Sequence, residues 1–283
     1  MAKIKKIITH AGSAHRDDFL AVCIALSKCG NVPSIERRDP SPEELDNPEV
    51  LVLDVGRRHE PELNNFDHHQ LERDAAPACA LSLYTEHLGY DFSVFEWYAF
   101  TVLLDSKGPA VVCKEYGIGD LNPTLSPVEN ALKSLFEADP MDVAIIMARI
   151  GSDLCNYHDV VKAQIDEART TAYLIEVEDV VGMSVVKGEF EDNKVYEPVV
   201  LNRLRAEAEE STGKTVAFQV TKDDRGAGYT LYRYDDHPRV DFSKLEEMED
   251  ITFAHKGGFI AKTSRPMNSD RIRSFILSSL VTS

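Results

Sequence analysis

Two adjacent histidines directly after an aspartate, in NFDHHQ (65–70), raise a question of chemistry. Imidazole and carboxylate are the side chains that bind divalent ions and move protons near neutral pH. Asp67, His68 and His69 have company along the chain. His10 opens HAGSAHRDD, which supplies His15, Asp17 and Asp18, and Asp54 ends the run EVLVLD. A further carboxylate, Asp105, closes EWYAFTVLLD ahead of SKGP. Each has an ordinary alternative: Asp18 reads as a helix cap or dipole partner, and Asp54 as a turn cap after a buried strand. The placement of imidazoles and carboxylates at successive strand ends is what a multi-metal site requires.

Convergence needs elements that bring these residues to one rim. Runs at 5–9, 34–38 and 49–55 are β-branched and short, which predicts strands. RDDFLAVCIALSKCG lies between the first two, with acids in its first turn and Gly30 beyond its end, which predicts a helix. That alternation is the βαβ pattern of a parallel sheet, whose carboxyl strand ends form the binding crevice. Helices are also expected at 78–88, 93–105 and 127–136, and two more across 141–175, broken near Gly151. Beyond a strand in MSVVKG the chain reads as helix (199–211), strand (215–221), a DDRGAG turn and strand (229–234), a hairpin signal. The fold class expected is α/β. A parallel-sheet catalytic domain would occupy 1–185, and a smaller α+β domain 186–283.

At 283 residues, with 43% hydrophobic content, the chain is long enough for two packed domains. It shows neither a long apolar run nor a signal-peptide core, so a cytoplasmic protein without a membrane partner is expected. Five cysteines at wide spacings, without a C-x-x-C pair, fit reduced thiols. A net charge of -17 argues against coating long duplex DNA. The exception is the C-terminal stretch with Lys256, Lys262, Arg265, Arg271 and Arg273, which reads either as a solvated face or as an anion-receiving patch.

The order H-x(4)-H-x-D, strand-end Asp, D-H-H and later Asp resembles the DHH phosphoesterase superfamily. THAGSAHRDDFLA, LDVGRRHEPELNNFDHHQ and FAHKGGFIAKT are similar, within it, to the melanocyte-proliferating-gene family of metal-dependent hydrolases and 3'-5' RNA exonucleases. The three motifs run in order from residue 9 to residue 263.

That resemblance implies a dinuclear site. His10, His15 and Asp54 would hold one ion, and Asp17, Asp54, His68 and Asp105 the other, with Asp54 bridging. The mixed nitrogen and oxygen ligands favour Mn²⁺, with Co²⁺, Zn²⁺ or Mg²⁺ as alternatives. Asp17, Asp54 and Asp105 against two divalent cations leave a single positive charge, suited to accepting a phosphate oxygen. His69, with Asp54, is the expected catalytic residue, and it is also expected to face the substrate. In an extended backbone His68 and His69 would point to opposite sides, and Asp67 would orient a ligand histidine. His255, Lys256, Gly257, Gly258 and Lys262 are the substrate-binding candidates, the glycines through amides that could cradle a phosphate; a plain glycine turn is the alternative. The activity implied is phosphoester hydrolysis of short RNA, oligonucleotides or nucleotides. Hydrolysis of another bond, a metal-binding regulatory role, and a homo-oligomeric state all remain open.

Overall fold

The computed structural model describes residues 3–72, 74–119, 121, 126–188 and 193–281. It is a mixed α/β structure in two compact units, Met1–Asp159 and Val160–Ser283.

The first unit carries strands β1 (Lys6–Thr9), β2 (Ser34–Arg37), β3 (Val50–Leu53), β4 (His59–Glu60) and β5 (Asn65–Phe66), in the order β2-β1-β3-β5-β4. All neighbouring pairs are parallel except β4 with β5. Helix α1 (Arg16–Lys28) follows β1 and is buried on nearly every side from Phe19 to Leu26, as its continuous apolar run requires. Short α2 (Pro42–Leu45) starts with a capping box between Ser41 and Glu44. Helices α3 (Ala80–His87), α4 (Glu96–Lys107), α5 (Pro109–Glu115) and α6 (Pro127–Ala138) complete the unit, together with the first part of α7 (Pro140–Arg169).

Helix α7 corrects one expectation. Gly151 breaks nothing, and the helix runs through it for 30 residues. A Cβ at Gly151 would lie 1.9 Å from the carbonyl oxygen of Cys23, so glycine stands there because α1 and α7 touch backbone to backbone. Gly151→Ala is expected to destabilise the protein by about 2–3 kcal/mol in urea unfolding, because a backbone clash cannot be relieved by a rotamer change.

In the second unit the strand order is β10-β11-β9-β8-β7-β6, with β6 (Tyr173–Val177), β7 (Val180–Ser184), β8 (Val216–Lys222), β9 (Tyr229–Arg233), β10 (Ile251–Ala254) and β11 (Ile260–Thr263). Residues 173–175, expected to be helical, form a strand whose burial alternates with period two. The hairpin expected around DDRGAG is present as antiparallel β8 and β9. Helices α8 (Pro198–Thr212) and α9 (Ser269–Ser279) accompany the sheet, and Phe218, Tyr229, Phe242 and Phe275 centre its core. The contacts thus divide the chain at 159/160 rather than at 185. The composition shift misplaces the division because β6 and β7 pair into this second sheet, β7 lying parallel to β8.

All five cysteines are free. Among the described residues no helix is long and apolar enough to cross a membrane.

Candidate metal centre

His10 directly follows β1, Asp54 follows β3 and Asp67 follows β5, three strands that are neighbours in one parallel sheet. Their carboxyl ends therefore deliver all three residues to one rim. His15, Asp17 and Asp18 arrive there from the start of α1. Asp105 comes from α4, which continues past it to Lys107 and so presents Asp105 from its last turn.

Asp54 is central. Oδ1 lies 3.2 Å from His68 Nε2 and 3.7 Å from His69 Nδ1, while Oδ2 lies 3.5 Å from His10 Nε2. Its backbone takes a left-handed φ of 59°, a conformation that Asp tolerates better than most residues and that turns the carboxylate inward as the strand ends. His68 Nε2 also stands 2.9 Å from Asp105 Oδ2, and His15 Nδ1 3.7 Å from Asp105 Oδ1. His10 Nδ1 lies 2.7 Å from the carbonyl oxygen of Ala11. A carbonyl only accepts, so Nδ1 is the protonated nitrogen and Nε2 can offer its lone pair to the cluster.

Several buried atoms here make no well-directed hydrogen bond among the described residues, although imidazole and carboxylate crowd together: His10 Nε2, both Asp17 oxygens, Asp54 Oδ1, His68 Nε2 and Asp105 Oδ2. Buried polar groups are ordinarily paired, so their gathering at one rim calls for a cation. The electrostatics agree. Burial, with Asp54, Asp105 and Asp18 nearby, pushes the Asp17 carboxyl well above the usual range. Burial and Asp105 raise Asp54 against the opposing pull of His68 and His10. Chiefly through Asp18, His10 is pushed up to about 9. Burial opposes the charged form of His68, but Asp105 and Asp54 together push it up to about 10. Burial opposes ionisation of Asp105, but His68 holds it below the usual range. Even so, a cluster in which Asp17 and Asp54 resist ionisation and two imidazoles are held charged is short of positive charge.

Potential ligand atoms fall into three groups: His10, His15 and Asp54; His15, Asp17 and Asp105; and Asp54, Asp67, His68 and His69. The first coincides with one expected ligand set. The second expected set is divided, with Asp17 and Asp105 grouped around His15.

The arrangement of the DHH histidines differs from expectation. Their rings lie side by side, with centroids 4.5 Å apart, and both approach Asp54. The strand ends at Phe66 and the chain turns, with Leu71 N donating to the His68 carbonyl, so the alternation of an extended chain does not apply. Asp67 orients a histidine, and it is His69: Oδ1 accepts from the His69 main chain and lies 2.7 Å from His69 Nδ1, while Oδ2 accepts from Arg57 N. Burial opposes its ionisation, but these donors hold the Asp67 carboxyl below the usual range.

Sequence reasoning set Asp18 aside as a helix cap or dipole partner and missed Arg37 altogether. Asp18, fully buried, lies 3.2 Å from His10 Nε2 and accepts from Arg37 Nη1 at 3.0 Å. Arg37, at the end of β2, also donates to Gly12 O in the His10–His15 loop. Only the alternation of SIER hints at an inward Arg37. Arg37→Met would leave the buried Asp18 with His10 as its one remaining charge partner among the described residues, and a stability loss of about 3 kcal/mol is expected by chemical unfolding.

In the second unit, FAHKGGFIAKT forms the β10–β11 hairpin. Gly257 N donates to His255 Nδ1 and Gly258 N to His255 O, so these two amides are already used and do not form the open phosphate cradle expected. Gly258 has a φ of +70°, and a Cβ there would strike Asp241, which accounts for the glycine by packing. Lys262 is paired with Asp223, and Arg265 and Arg271 both lie near Asp250, so much of the basic C-terminal stretch is neutralised. Lys256 has no ion-pair partner among the described residues.

Three cavities, of about 720, 460 and 470 Å³, border the first unit's cluster. Residues 6–80 match the MYG1_exonuc family model, described as an uncharacterised protein family (UPF0160). The family is named for the melanocyte-proliferating gene and carries an exonuclease label. The matched stretch contains His10, His15, Asp17, Asp54, Asp67, His68 and His69; Asp105 and the C-terminal motif lie outside it. No curated protein and no solved structure matched the chain.

Proposed function

We propose that the chain is a metal-dependent phosphoester hydrolase of the DHH type that removes nucleotides from the 3' end of RNA or acts on short oligonucleotides and nucleotides. The observation that carries this reading is the gathering of His10, Asp17, Asp54, His68 and Asp105 at one rim, with buried atoms that make no well-directed hydrogen bond among the described residues. His10, His15 and Asp54 would hold one divalent ion, and Asp17, Asp54, His68 and Asp105 a second, with Mn²⁺ suited to the mixed ligands. Ions held there would acidify a water and stabilise the attacking and leaving oxygens of an in-line displacement.

The chain's own groups supply the rest. Asp67 fixes His69 through Nδ1, so Nε2 is the atom that can hand a proton to the leaving oxygen. Arg57 is exposed beside the same rim, in the cavity of about 460 Å³ lined also by His10, Asp54 and His69. It has no carboxylate partner among the described residues, so its guanidinium is available to a phosphate.

The test is release of a 3'-terminal label from an oligoribonucleotide with Mn²⁺, lost on chelation and in Asp54→Ala. His69→Ala is expected to retain its ions and lose about 10²–10⁴-fold in turnover, while His68→Ala loses ion uptake as well. Tight ion binding with no turnover of any phosphoester would remove the enzymatic reading.

A further inference from the structure

We propose that the cavity of about 720 Å³ between α4 and α6 is a nucleoside pocket, which takes the base and sugar of the nucleotide whose phosphoester lies at the Asp/His cluster. The inference rests on the phosphoester reading and adds to it a seat for the base and sugar of the nucleotide. The volume falls within the ~300–1,000 Å³ of small-molecule sites.

Three kinds of lining meet in this cavity. Phe100 and Leu104, one turn apart on α4, and Pro109 at the start of α5 form an apolar part. The stripe Ser126, Asn130, Lys133, Ser134 and Glu137, at helical spacing along α6 and its cap, forms a polar part. His15, Asp17 and Asp105 of the cluster complete it, so a ligand seated here has one end at the reacting centre. A nucleobase combines apolar faces with an edge of donors and acceptors, and proteins take it by stacking the faces and reading the edge.

The charges favour a neutral group over a phosphate chain. Arg16 donates to Glu129 through both Nε (3.0 Å) and Nη2 (2.8 Å), and Lys133 Nζ lies 3.7 Å from the same carboxylate. The cavity's two permanent cations are thereby matched by Glu129 together with Glu137, which accepts from Ala14 N at 2.6 Å. Arg16 also lies over the Phe100 ring, 5.7 Å from its centroid, which holds the ring at the wall.

The test is calorimetric titration of the full chain, loaded with Mn²⁺, with AMP and with ribose 5-phosphate, which shares the phosphate and sugar but lacks the base. AMP is expected to bind at least about tenfold more tightly, the scale of one stacked base. Ser134→Trp, which fills the cavity from an exposed helix position, and Phe100→Ala, which removes the stacking wall, are each expected to abolish that preference. Circular dichroism and ion uptake report whether each variant is folded. Equal affinity for the two ligands overturns the pocket, as does a preference that survives in either folded variant. Turnover of phosphoesters by the unaltered chain, a 3'-labelled oligoribonucleotide and bis(4-nitrophenyl) phosphate among them, is scored separately. Turnover without base preference removes the pocket alone, whereas base preference without turnover supports the pocket and removes the hydrolase reading.

Discussion

Asp54→Asn is expected to abolish cooperative ion uptake while leaving the metal-free protein at least as stable as the parent. Asparagine accepts the left-handed backbone at position 54 and keeps the side-chain shape, so the fold should not object. What disappears is a carboxylate whose charge is disfavoured by burial and by Asp105, and which stands within reach of His10, His68 and His69. Losing this shared ligand should weaken ion binding by more than about 100-fold, beyond the effect of removing a supporting partner. Thermal unfolding gives the contrast. Metal at 100 times its dissociation constant should stabilise the parent by about 2.7 kcal/mol, and Asp54→Asn should show no such shift at the same concentration. A variant that still gains the full metal-dependent shift would remove Asp54 from the centre of the site.

The second large effect is expected in pH. In the metal-free protein His10 is pushed up to about 9 and His68 up to about 10, so both are protonated at neutral pH. Raised histidine values contribute stability fully below the unfolded value of about 6.5, and that contribution is lost as pH rises through 9 to 10. Asp17 and Asp54 are also raised, so their contribution likewise falls as pH rises above the usual carboxylate range, while the two histidines set the window near and above neutrality. The metal-free protein should therefore lose stability between pH 7 and pH 10, and the ion-loaded protein should lose less. Ions must displace those protons, so metal titration in weak buffer at pH 7 should acidify the solution, and apparent affinity should climb with pH up to about 10. Uptake without proton release would place the ions elsewhere.

Much of this centre was legible in the sequence because strand ends and ligand types coincide there. The run at 5–9 followed by His10, and 49–53 followed by Asp54, needed only a parallel sheet to bring them together. Asp105 required tertiary information, since it reaches His68 from a separate helix. Arg37 was hidden because a strand arginine reads as solvent-facing until its neighbour Asp18 is known to be buried. Local backbone misled twice. The turn after Phe66 put His68 and His69 side by side, and Gly151 looked like a helix break although its missing side chain serves packing between helices.

The path from His10 through Asp18 to Arg37 ends on β2, one of the two edge strands of its sheet. Edge strands open more readily than central ones, so their amides exchange with solvent sooner. An ion that fixes His10 also restrains Asp18, the carboxylate holding Arg37 in place. Deuterium uptake at Ser34–Arg37 should consequently slow when metal is added, although none of these residues is a proposed ligand. The rim of the sheet would then act as a remote gauge of occupancy, readable by mass spectrometry on the native chain before any substrate is known.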